Sequence, residues 1–337
     1  MTPGSNILVG VIGAGSWGTA LAIHLARSGV PTILYGHDAT AIEQMAEAGC
    51  NARYLPDNPF PPSLEVTADI ATAVSGATVA LVATPSHVFG PVLDQLIPHM
   101  RESCGLAWAS KGFESGTGRL LHEVAAEKLG PDVPTAVVTG PSFAKEVAAG
   151  LPTAVTVAST SDTFADEVAS ALHHGTFRCY TSQDMVGAEL GGAVKNVLAL
   201  ATGVSDGMGL GDNARAALIT RGLSEMMRLG AAMGADPETL TGLAGMGDLV
   251  LTATGSLSRN RRLGLALGQG HDLGHAQEEI GQVVEGVYAA REVMTLAKRY
   301  EVELPIAQLV YAILFEDITP VEGVKALLAR DMRAEFD

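Results

Sequence analysis

The hydrophobic pattern of the first half of the chain alternates short apolar runs with segments in which apolar residues recur every three to four positions. The runs predict buried parallel strands, and the periodic segments predict amphipathic helices. Leu8–Ile12 followed by Trp17–Ser28 is the first such pair. Further strands are predicted at Thr32–Tyr35, Val79–Ala83, Leu106–Ala109, Thr135–Val138 and Ala154–Val157, and further helices at Val88–Met100 and Leu120–Leu129. This alternation is typical of a doubly wound, mostly parallel α/β sheet.

The pattern changes at about Asp184, after which strand-like runs disappear and helical periodicity dominates. Helices are predicted at Met185–Val204, Ala214–Met233, Arg259–Leu267, Gly286–Tyr300, Leu304–Phe315 and Pro320–Ala329. We therefore predict an α/β domain over residues 1–184 and an all-α C-terminal domain over residues 185–337. A cleft between two such domains is the natural place for a ligand.

Three glycines, Gly13, Gly15 and Gly18, lie where the first predicted strand turns into the first predicted helix. The first permits a tight turn, the second lets the backbone approach a pyrophosphate, and the third lets helix and strand pack closely. The unpaired N–H groups at the start of the helix then face the phosphates. The motif G-x-G-x-x-G in this context predicts a Rossmann-type sheet that binds a dinucleotide.

The amino-acid composition argues against several classes of binding partner and indicates the cellular compartment. The formal net charge of −16 argues against nucleic acid, which requires a basic face. No apolar run approaches the ~20 residues of a membrane span, and the first residues lack the basic start and apolar core of a signal peptide. Three scattered cysteines indicate a reducing compartment, so we expect a cytoplasmic protein. The histidines and cysteines show no spacing that brings three ligands to one metal, and we expect no metal site.

Lys195 lies in a predicted helix above a strip of small residues. Three, four and seven positions before it, on the same helical face, are Gly192, Gly191 and Ala188. Two adjacent glycines cost a helix about 0.5–1 kcal/mol each relative to alanine, which indicates a close approach at this strip. Two explanations stay open: tight helix packing with the lysine reaching solvent, or a catalytic amine whose proton is lost near neutral pH when it is desolvated.

An anion-binding helix start is predicted at Ser258, which follows the segment G-M-G-D-L and is a good N-cap. A basic residue in the first turn opposes the helix macrodipole unless an anion binds there. The cap, the free N–H groups, the Arg259 guanidinium and the Asn260 amide together would form a phosphate site. The same residues would be unremarkable as a surface patch, and Arg261 and Arg262 are candidates for that role.

Two further polar residues lie just past predicted strands, at the edge where open α/β sheets bind ligands. Lys111 follows the strand Leu106–Ala109, and Ser142 follows the strand Thr135–Val138. Ser142 is suited to a hydrogen bond with a ligand, although an ordinary helix cap with Glu146 nearby explains it equally well.

Several separate motifs appear in order between Val9 and Ala329: G-A-G-S-W-G-T-A-L, R-Y-L-P, S-K-G, G-P-S-F-A-K-E, V-K-N, G-M-G-D-L and S-R-N-R. On these motifs the chain resembles the NAD(P)-dependent sn-glycerol-3-phosphate dehydrogenases of the bacterial cytoplasmic type. The resemblance implies a reversible hydride transfer between NAD(P)H and dihydroxyacetone phosphate that yields sn-glycerol 3-phosphate for phospholipid synthesis. The partner it implies is therefore a small phosphate substrate.

The resemblance also implies roles for individual residues. Lys195 matches the proton donor and acceptor of the family. The implied substrate contacts are Lys111, Gly140, Ser142, Lys195, Asp248, Ser258, Arg259 and Asn260. The implied cofactor contacts, beside the three glycines of the turn, are Ser16, Trp17, His37, Tyr54, Lys111, Ala144, Arg259, Val283 and Glu285.

Cofactor choice depends on the end of the second strand, where an acidic residue favours NAD and a basic one accommodates the 2′-phosphate of NADP. His37 stands where many relatives carry arginine, and Asp38 follows it. A histidine with a pKa near ~6.5 is only partly charged at neutral pH. We expect NADP(H) as the favoured cofactor, with NAD(H) as the alternative.

Two other functions fit parts of the pattern. A related Rossmann-plus-helical dehydrogenase of a β-hydroxy acid would also use a lysine, but it needs a carboxylate clamp, and the S-R-N-R helix start suits a phosphate better. A non-catalytic dinucleotide sensor would have no use for Lys195, Lys111 and Asp248 together. The apolar content of the helical part leaves room for a homodimer interface.

Overall fold

The structure, a computed structural model, describes residues 7–329. Its first part is one eight-stranded sheet in the order β3-β2-β1-β4-β5-β6-β7-β8. The strands are β1 Val9–Ile12, β2 Thr32–Tyr35, β3 Leu64–Thr67, β4 Val79–Val82, β5 Gly105–Trp108, β6 Thr135–Thr139, β7 Thr153–Ala158 and β8 Phe177–Ser182. Neighbouring strands are parallel except β6 and β7, which pair antiparallel. The order reverses between β1 and β4, and the crevice at such a switch point is where doubly wound sheets bind ligands.

Helices alternate with the strands and then continue alone. The first seven are α1 Ser16–Arg27, α2 Ala39–Ala48, α3 Ile70–Val74, α4 Phe89–Leu96, α5 Leu121–Leu129, α6 Ala144–Ala148 and α7 Asp162–Leu172. The others are α8 Met185–Gly207, α9 Gly211–Met233, α10 Pro237–Thr241, α11 Asp248–Thr254, α12 Arg259–Gly268, α13 Leu273–Ile280, α14 Glu285–Arg299, α15 Pro305–Phe315 and α16 Pro320–Leu328. Within residues 7–329, no helix has the length and hydropathy that a membrane crossing requires.

The central strands are apolar throughout because both faces of the sheet are buried. In β1, Val11 packs into one apolar core and Ile12 into another on the opposite face. A third core holds the helices after the sheet together and is centred on α8. The predicted fold class, a Rossmann-type sheet followed by an all-α part, is confirmed.

The structure adds elements that the apolar runs did not predict. The strands β3 and β8 form the two edges of the sheet, and β8 alternates buried with exposed residues instead of forming an apolar run. The helix predicted over Val88–Met100 is shorter, because α4 ends at Leu96 and a 3₁₀ turn that contains Pro98 follows it. Proline has no N–H group to continue the helical ladder.

The long helix α8 fixes the start of α12. A Cβ atom added at Gly203 of α8 would lie 2.1 Å from the carbonyl oxygen of Arg261. One added at Gly264 of α12 would lie 2.1 Å from the carbonyl oxygen of Leu200. The two backbones are therefore in direct contact, and the N-terminus of α12 is held rigidly over the helix that carries Lys195.

Candidate active site

The glycine turn joins β1 to α1 as the motif predicts. Gly13 has φ +119, a conformation that favours glycine, and a Cβ atom at Gly18 would lie 1.9 Å from the Gly13 carbonyl oxygen. A Cβ atom at Gly15 would meet nothing within 4 Å, and no side chain caps the N-terminus of α1 there. Open space over uncapped N–H groups suits the pyrophosphate of a dinucleotide. The residues of the turn therefore fit the implied cofactor.

Two lysines and one carboxylate meet at the base of the cleft between the sheet and the later helices. Lys195 Nζ lies 2.6 Å from Asp248 Oδ1, and Lys111 Nζ lies 2.7 Å from Asp248 Oδ2. Lys195 also donates to Thr252 Oγ1 at 3.1 Å, and Lys111 donates to the Gly140 carbonyl at 2.8 Å. Asp248 is 1 % exposed, so its two oxygens orient both ammonium groups in a site that water barely reaches.

Four chain segments supply these groups, and the first is the helix α8, which carries Lys195. Lys111 follows the carboxyl end of β5, and Gly140 follows that of β6, so parallel strands bring them to one edge of the sheet. Gly140 has φ +136, and its carbonyl accepts hydrogen bonds from both Lys111 and Ser142 Oγ, the latter at 2.9 Å. Asp248 begins α11 directly after a π-helical turn at Leu243–Gly247.

The glycine strip before Lys195 serves close packing. A Cβ atom at Gly191 would lie 2.5 Å from the carbonyl oxygen of Ala244, and one at Gly192 would lie 2.8 Å from Thr139 Oγ1. Lys195 itself is only 6 % exposed. Of the two explanations for this strip, the tight packing is therefore present, but the lysine does not reach bulk solvent. It points to Asp248 instead.

The pKa of Lys195 lies close to neutral pH. Burial lowers its pKa from the ordinary value to about 7, and the Lys111 charge acts in the same direction, whereas Asp248 raises it. An amine with this pKa is present in both its protonated and neutral forms at physiological pH, which is the condition for efficient general acid–base catalysis.

The start of α12 has the geometry of an anion site. The Ser258 hydroxyl caps the helix by accepting from the Arg261 N–H at 3.2 Å. Asn260 accepts from the Gly286 N–H at 2.9 Å and donates to Asn196 Oδ1 at 2.8 Å. One N–H of the Asn260 amide remains for a ligand, while the rest of the amide ties α12 to α8 and α14.

Three basic residues near the start of α12 have three different environments. Arg261 is bound by Asp206 at 2.6 Å, so it is a structural ion pair rather than a solvated patch. Arg259 lies at the cleft, where burial lowers its pKa and Glu285 acts as its counter-charge. Arg262 is exposed and lines the cleft.

Glu285 connects the two sides of the cleft. It begins α14, and one of its oxygens accepts a hydrogen bond from Ser86 Oγ at 2.9 Å, across 199 residues of sequence. Burial raises the pKa of Glu285, against the effects of Ser86 and of the Arg259 charge. Beside this contact, His87 stacks on Tyr288 with ring centroids 4.7 Å apart.

Most of the residues that the sequence singled out converge on one cleft of about 510 Å³. Those on its wall are Gly15, Ser16, Trp17, Tyr54, Lys111, Ser142, Ala144, Lys195, Ser258, Arg259, Asn260, Val283 and Glu285. Gly13, Gly18, Gly140 and Asp248 lie behind the wall and shape it. His37 is exposed just past β2 and is not part of the wall. Within residues 7–329, no three His, Cys, Asp or Glu side chains are grouped to hold a metal ion.

The structure also adds polar groups that the sequence did not single out, because Asn196, Thr252 and Lys145 are on the wall. Arg262, which the sequence suggested as part of a surface patch, also lines the cleft. Thr252 follows Asp248 by four residues, a spacing that places both on one face of a helix and was available as a signal. Asn196 is adjacent to Lys195, but neighbouring helical residues point in different directions, so that adjacency carried no prediction.

Comparison with known proteins gives a consistent result over almost the whole chain. Residues 8–165 match the family described as NAD-dependent glycerol-3-phosphate dehydrogenase N-terminus, and residues 184–325 match the C-terminus of the same family. A protein of Stenotrophomonas maltophilia named glycerol-3-phosphate dehydrogenase [NAD(P)+] is 62% identical over 97% of this chain and 96% of its own. One of the same name from Xanthomonas oryzae pv. oryzae is 61% identical, with the same coverage. The crystal structure of glycerol-3-phosphate dehydrogenase from Coxiella burnetii superposes with a TM-score of 0.94 at 49% identity, covering 97% of this chain and 100% of that one.

Proposed function

The chain belongs to the NAD-dependent glycerol-3-phosphate dehydrogenase family, and from that premise we propose that it interconverts dihydroxyacetone phosphate and sn-glycerol 3-phosphate with a nicotinamide dinucleotide. The observation that carries this proposal is Asp248 held between Lys195 and Lys111 at the base of the cleft. A β-hydroxy acid dehydrogenase and a non-catalytic sensor, the two alternatives, find no support in the family assignment.

Lys195 is the general acid and base. As an ammonium group it polarises the substrate carbonyl and gives a proton to the developing alkoxide, and as a neutral amine it removes the hydroxyl proton in the reverse direction. Asp248 and Thr252 hold its Nζ at 2.6 and 3.1 Å and so fix its direction. Lys111 adds a second positive charge on the far oxygen of Asp248. That charge helps to stabilise the oxyanion in the transition state.

The substrate phosphate binds at the start of α12. The free N–H groups behind the Ser258 cap, the Arg259 guanidinium and the remaining N–H of Asn260 face the cleft together. Binding of the phosphate here positions the distant carbonyl of the substrate over Lys195. Binding energy at the phosphate thereby contributes to a higher rate of the chemical step. Ser142 and Gly140 complete the substrate side of the cleft next to Lys111.

The cofactor, when bound, supplies or accepts the hydride. The residues that would hold it are the glycine turn with Ser16 and Trp17, and the wall residues Tyr54, Ala144, Val283 and Glu285. Trp17 is already fixed, because its Nε1 donates to the Ala109 carbonyl at 3.2 Å. Glu285 on α14 and Arg259 on α12 would contact the cofactor from the later helices.

We infer a preference for NADP(H) over NAD(H). Asp38, the acidic residue that would favour NAD, accepts from the Ala41 N–H at 3.1 Å and so caps α2. His37 is exposed beside it, at the carboxyl end of β2. His37→Arg should raise the ratio of kcat/KM for NADPH to that for NADH, and His37→Ala should lower it. Equal ratios in all three proteins would refute the inference.

Four further expectations accompany this function. The cysteines Cys50, Cys104 and Cys179 are all free thiols, which supports the proposal of a reducing cytoplasmic compartment. The supply of glycerol phosphate for phospholipid synthesis follows from the proposed reaction. A homodimer stays a prediction, as does the division of the chain at residue 184, and sedimentation equilibrium would measure the oligomeric state.

The direct test is the loss of reduced-nicotinamide absorbance on addition of dihydroxyacetone phosphate. Lys195→Ala should lower kcat by about 10²–10⁴-fold, the typical contribution of a positioned acid, while the fluorescence titration with NADPH stays unchanged. Lys298→Ala, an exposed lysine outside the cleft, is the matched control. Dinucleotide binding without any turnover by the wild-type protein would overturn the proposed reaction.

A further inference from the structure

The charge balance of the cleft is opposite to that of the chain. The chain has 21 lysines and arginines against 37 aspartates and glutamates. Among the described residues, the cleft wall carries five basic side chains and one acidic one: Lys111, Lys145, Lys195, Arg259, Arg262 and Glu285. A dianionic phosphate is repelled by so acidic a protein at long range, unless the cleft presents a positive potential of its own.

Three of these five cations lie beside carboxylates, and the two carboxylates offset two of their three charges. Lys111 and Lys195 share Asp248, which lies directly behind them at 2.7 and 2.6 Å. Arg259 has Glu285 as its counter-charge, and each group shifts the pKa of the other toward the charged form. These charges act at short range on a ligand that has already bound. Because these cations are largely offset and Lys195 is buried, the field outside the cleft depends more on cations that are exposed and have no carboxylate partner.

Lys145 and Arg262 are the two cations that remain. Both are exposed on the cleft wall, and neither forms an ion pair with a carboxylate within residues 7–329. Lys145 is the second residue of α6 and follows Ser142 by three positions. Arg262 lies on α12 four positions after the Ser258 cap, and α12 contains no acidic residue. Glu146, which neighbours Lys145, is not on the wall.

The two residues reach the cleft from different parts of the fold, Lys145 from α6 after the strand β6 and Arg262 from α12 among the later helices. We propose that Lys145 and Arg262 are specificity-determining residues that draw the phosphate group of the substrate into the cleft and hold it there with Arg259. This rests on the function proposed above and deepens it. The acid–base chemistry of Lys195 does not involve either residue, so their contribution lies in substrate capture.

The test is steady-state kinetics with dihydroxyacetone phosphate at about 0.01 and about 0.3 M salt, where the Debye length falls from about 30 Å to below 10 Å. Lys145→Gln and Arg262→Gln should each raise KM by about 3–10-fold at low salt, and much less at high salt, because screening removes the attraction. Turnover at saturation should change less than about twofold. Lys145→Arg and Arg262→Lys should restore most of the wild-type KM, and Lys298→Gln, an exposed lysine elsewhere, should have no effect.

A binding measurement separates this inference from the proposed function. Inorganic phosphate is titrated into each protein and followed by calorimetry, which needs no turnover. Weaker phosphate binding in both Gln variants, with the salt dependence given above, supports the capture role even if the substrate is a different phosphate. Normal wild-type turnover with unchanged KM and unchanged phosphate affinity in the double variant would overturn the inference and leave the proposed reaction intact. A salt-independent fall in kcat, with a lower midpoint of thermal unfolding, would also overturn it by indicating a structural role.

Discussion

The electrostatic coupling of Lys195 to Asp248 can be tested by Asp248→Asn, which keeps the shape of the side chain and removes its charge. In the wild type, burial and Lys111 lower the pKa of Lys195, and Asp248 opposes them, with the result at about 7. The substitution removes the opposing charge and leaves the Lys111 charge unscreened. The pKa of Lys195 should therefore fall below 7.

The expected size of the shift follows from the contact. Two unit charges about 4 Å apart interact by about 4 kcal/mol at an effective dielectric constant near 20, and about 1.4 kcal/mol corresponds to one pKa unit. Full loss of the interaction would thus lower the pKa by about three units. The asparagine dipole and local water recover part of it, so we expect a fall of about one to three units.

The assay is the pH profile of kcat in both directions between about pH 5.5 and 9. Reduction needs the ammonium form, so it declines as pH rises through the pKa of Lys195, and in the variant this decline should move to lower pH. At pH 7 reduction should fall by about 5- to 500-fold, because the protonated fraction of Lys195 falls from about one half to between about 0.1 and about 0.001. Oxidation needs the neutral amine, which the variant retains, so it should lose much less.

The matched control is Asp94→Asn, which removes an aspartate–lysine contact of 2.6 Å with Lys128 at the surface. It should leave both profiles unchanged, since exposed ion pairs contribute little. An unshifted inflection in Asp248→Asn, or an equal, pH-independent loss in both directions, would refute the coupling. Asp248 would then act only by holding the two lysines in place.

Two further predictions concern the fold around the site. Gly18→Ala places a Cβ atom 1.9 Å from the Gly13 carbonyl oxygen and should lower the free energy of unfolding in urea by about 1–3 kcal/mol. Gly15→Ala places its Cβ atom in open space. This second variant should have a nearly unchanged free energy of unfolding and weaker NADPH binding. Glu189 lies 2.5 Å from His122 Nδ1 and raises the pKa of His122 even though burial opposes this. This stabilisation is complete below about pH 6.5 and is lost as pH rises through the raised pKa. Urea midpoints should show that pH dependence in the wild type and not in Glu189→Gln, and an identical pH dependence in both would contradict it.

The features predictable from sequence are those whose cause is local. The strands β1 and β4 are buried on both faces, so they appear as unbroken apolar runs, whereas β3 and β8 lie at the sheet edges and do not. Gly13 and Gly18 are required by a turn a few residues long, and Ser258 caps the helix that directly follows it. In each case, sterics or hydrogen bonding within a few residues of the chain dictates the residue type, so the pattern is visible without the fold.

Only the tertiary structure determines which charged side chains lie in contact with one another. Asp248 lies 53 residues from Lys195 and 137 residues from Lys111, and no local pattern connects the three. Arg259, Arg261 and Arg262 share one helix turn, yet one faces Glu285, one binds Asp206 and one faces the open cleft. Coulomb energies and desolvation depend on distance and burial in space, and a chain fixes these only when its elements pack against one another.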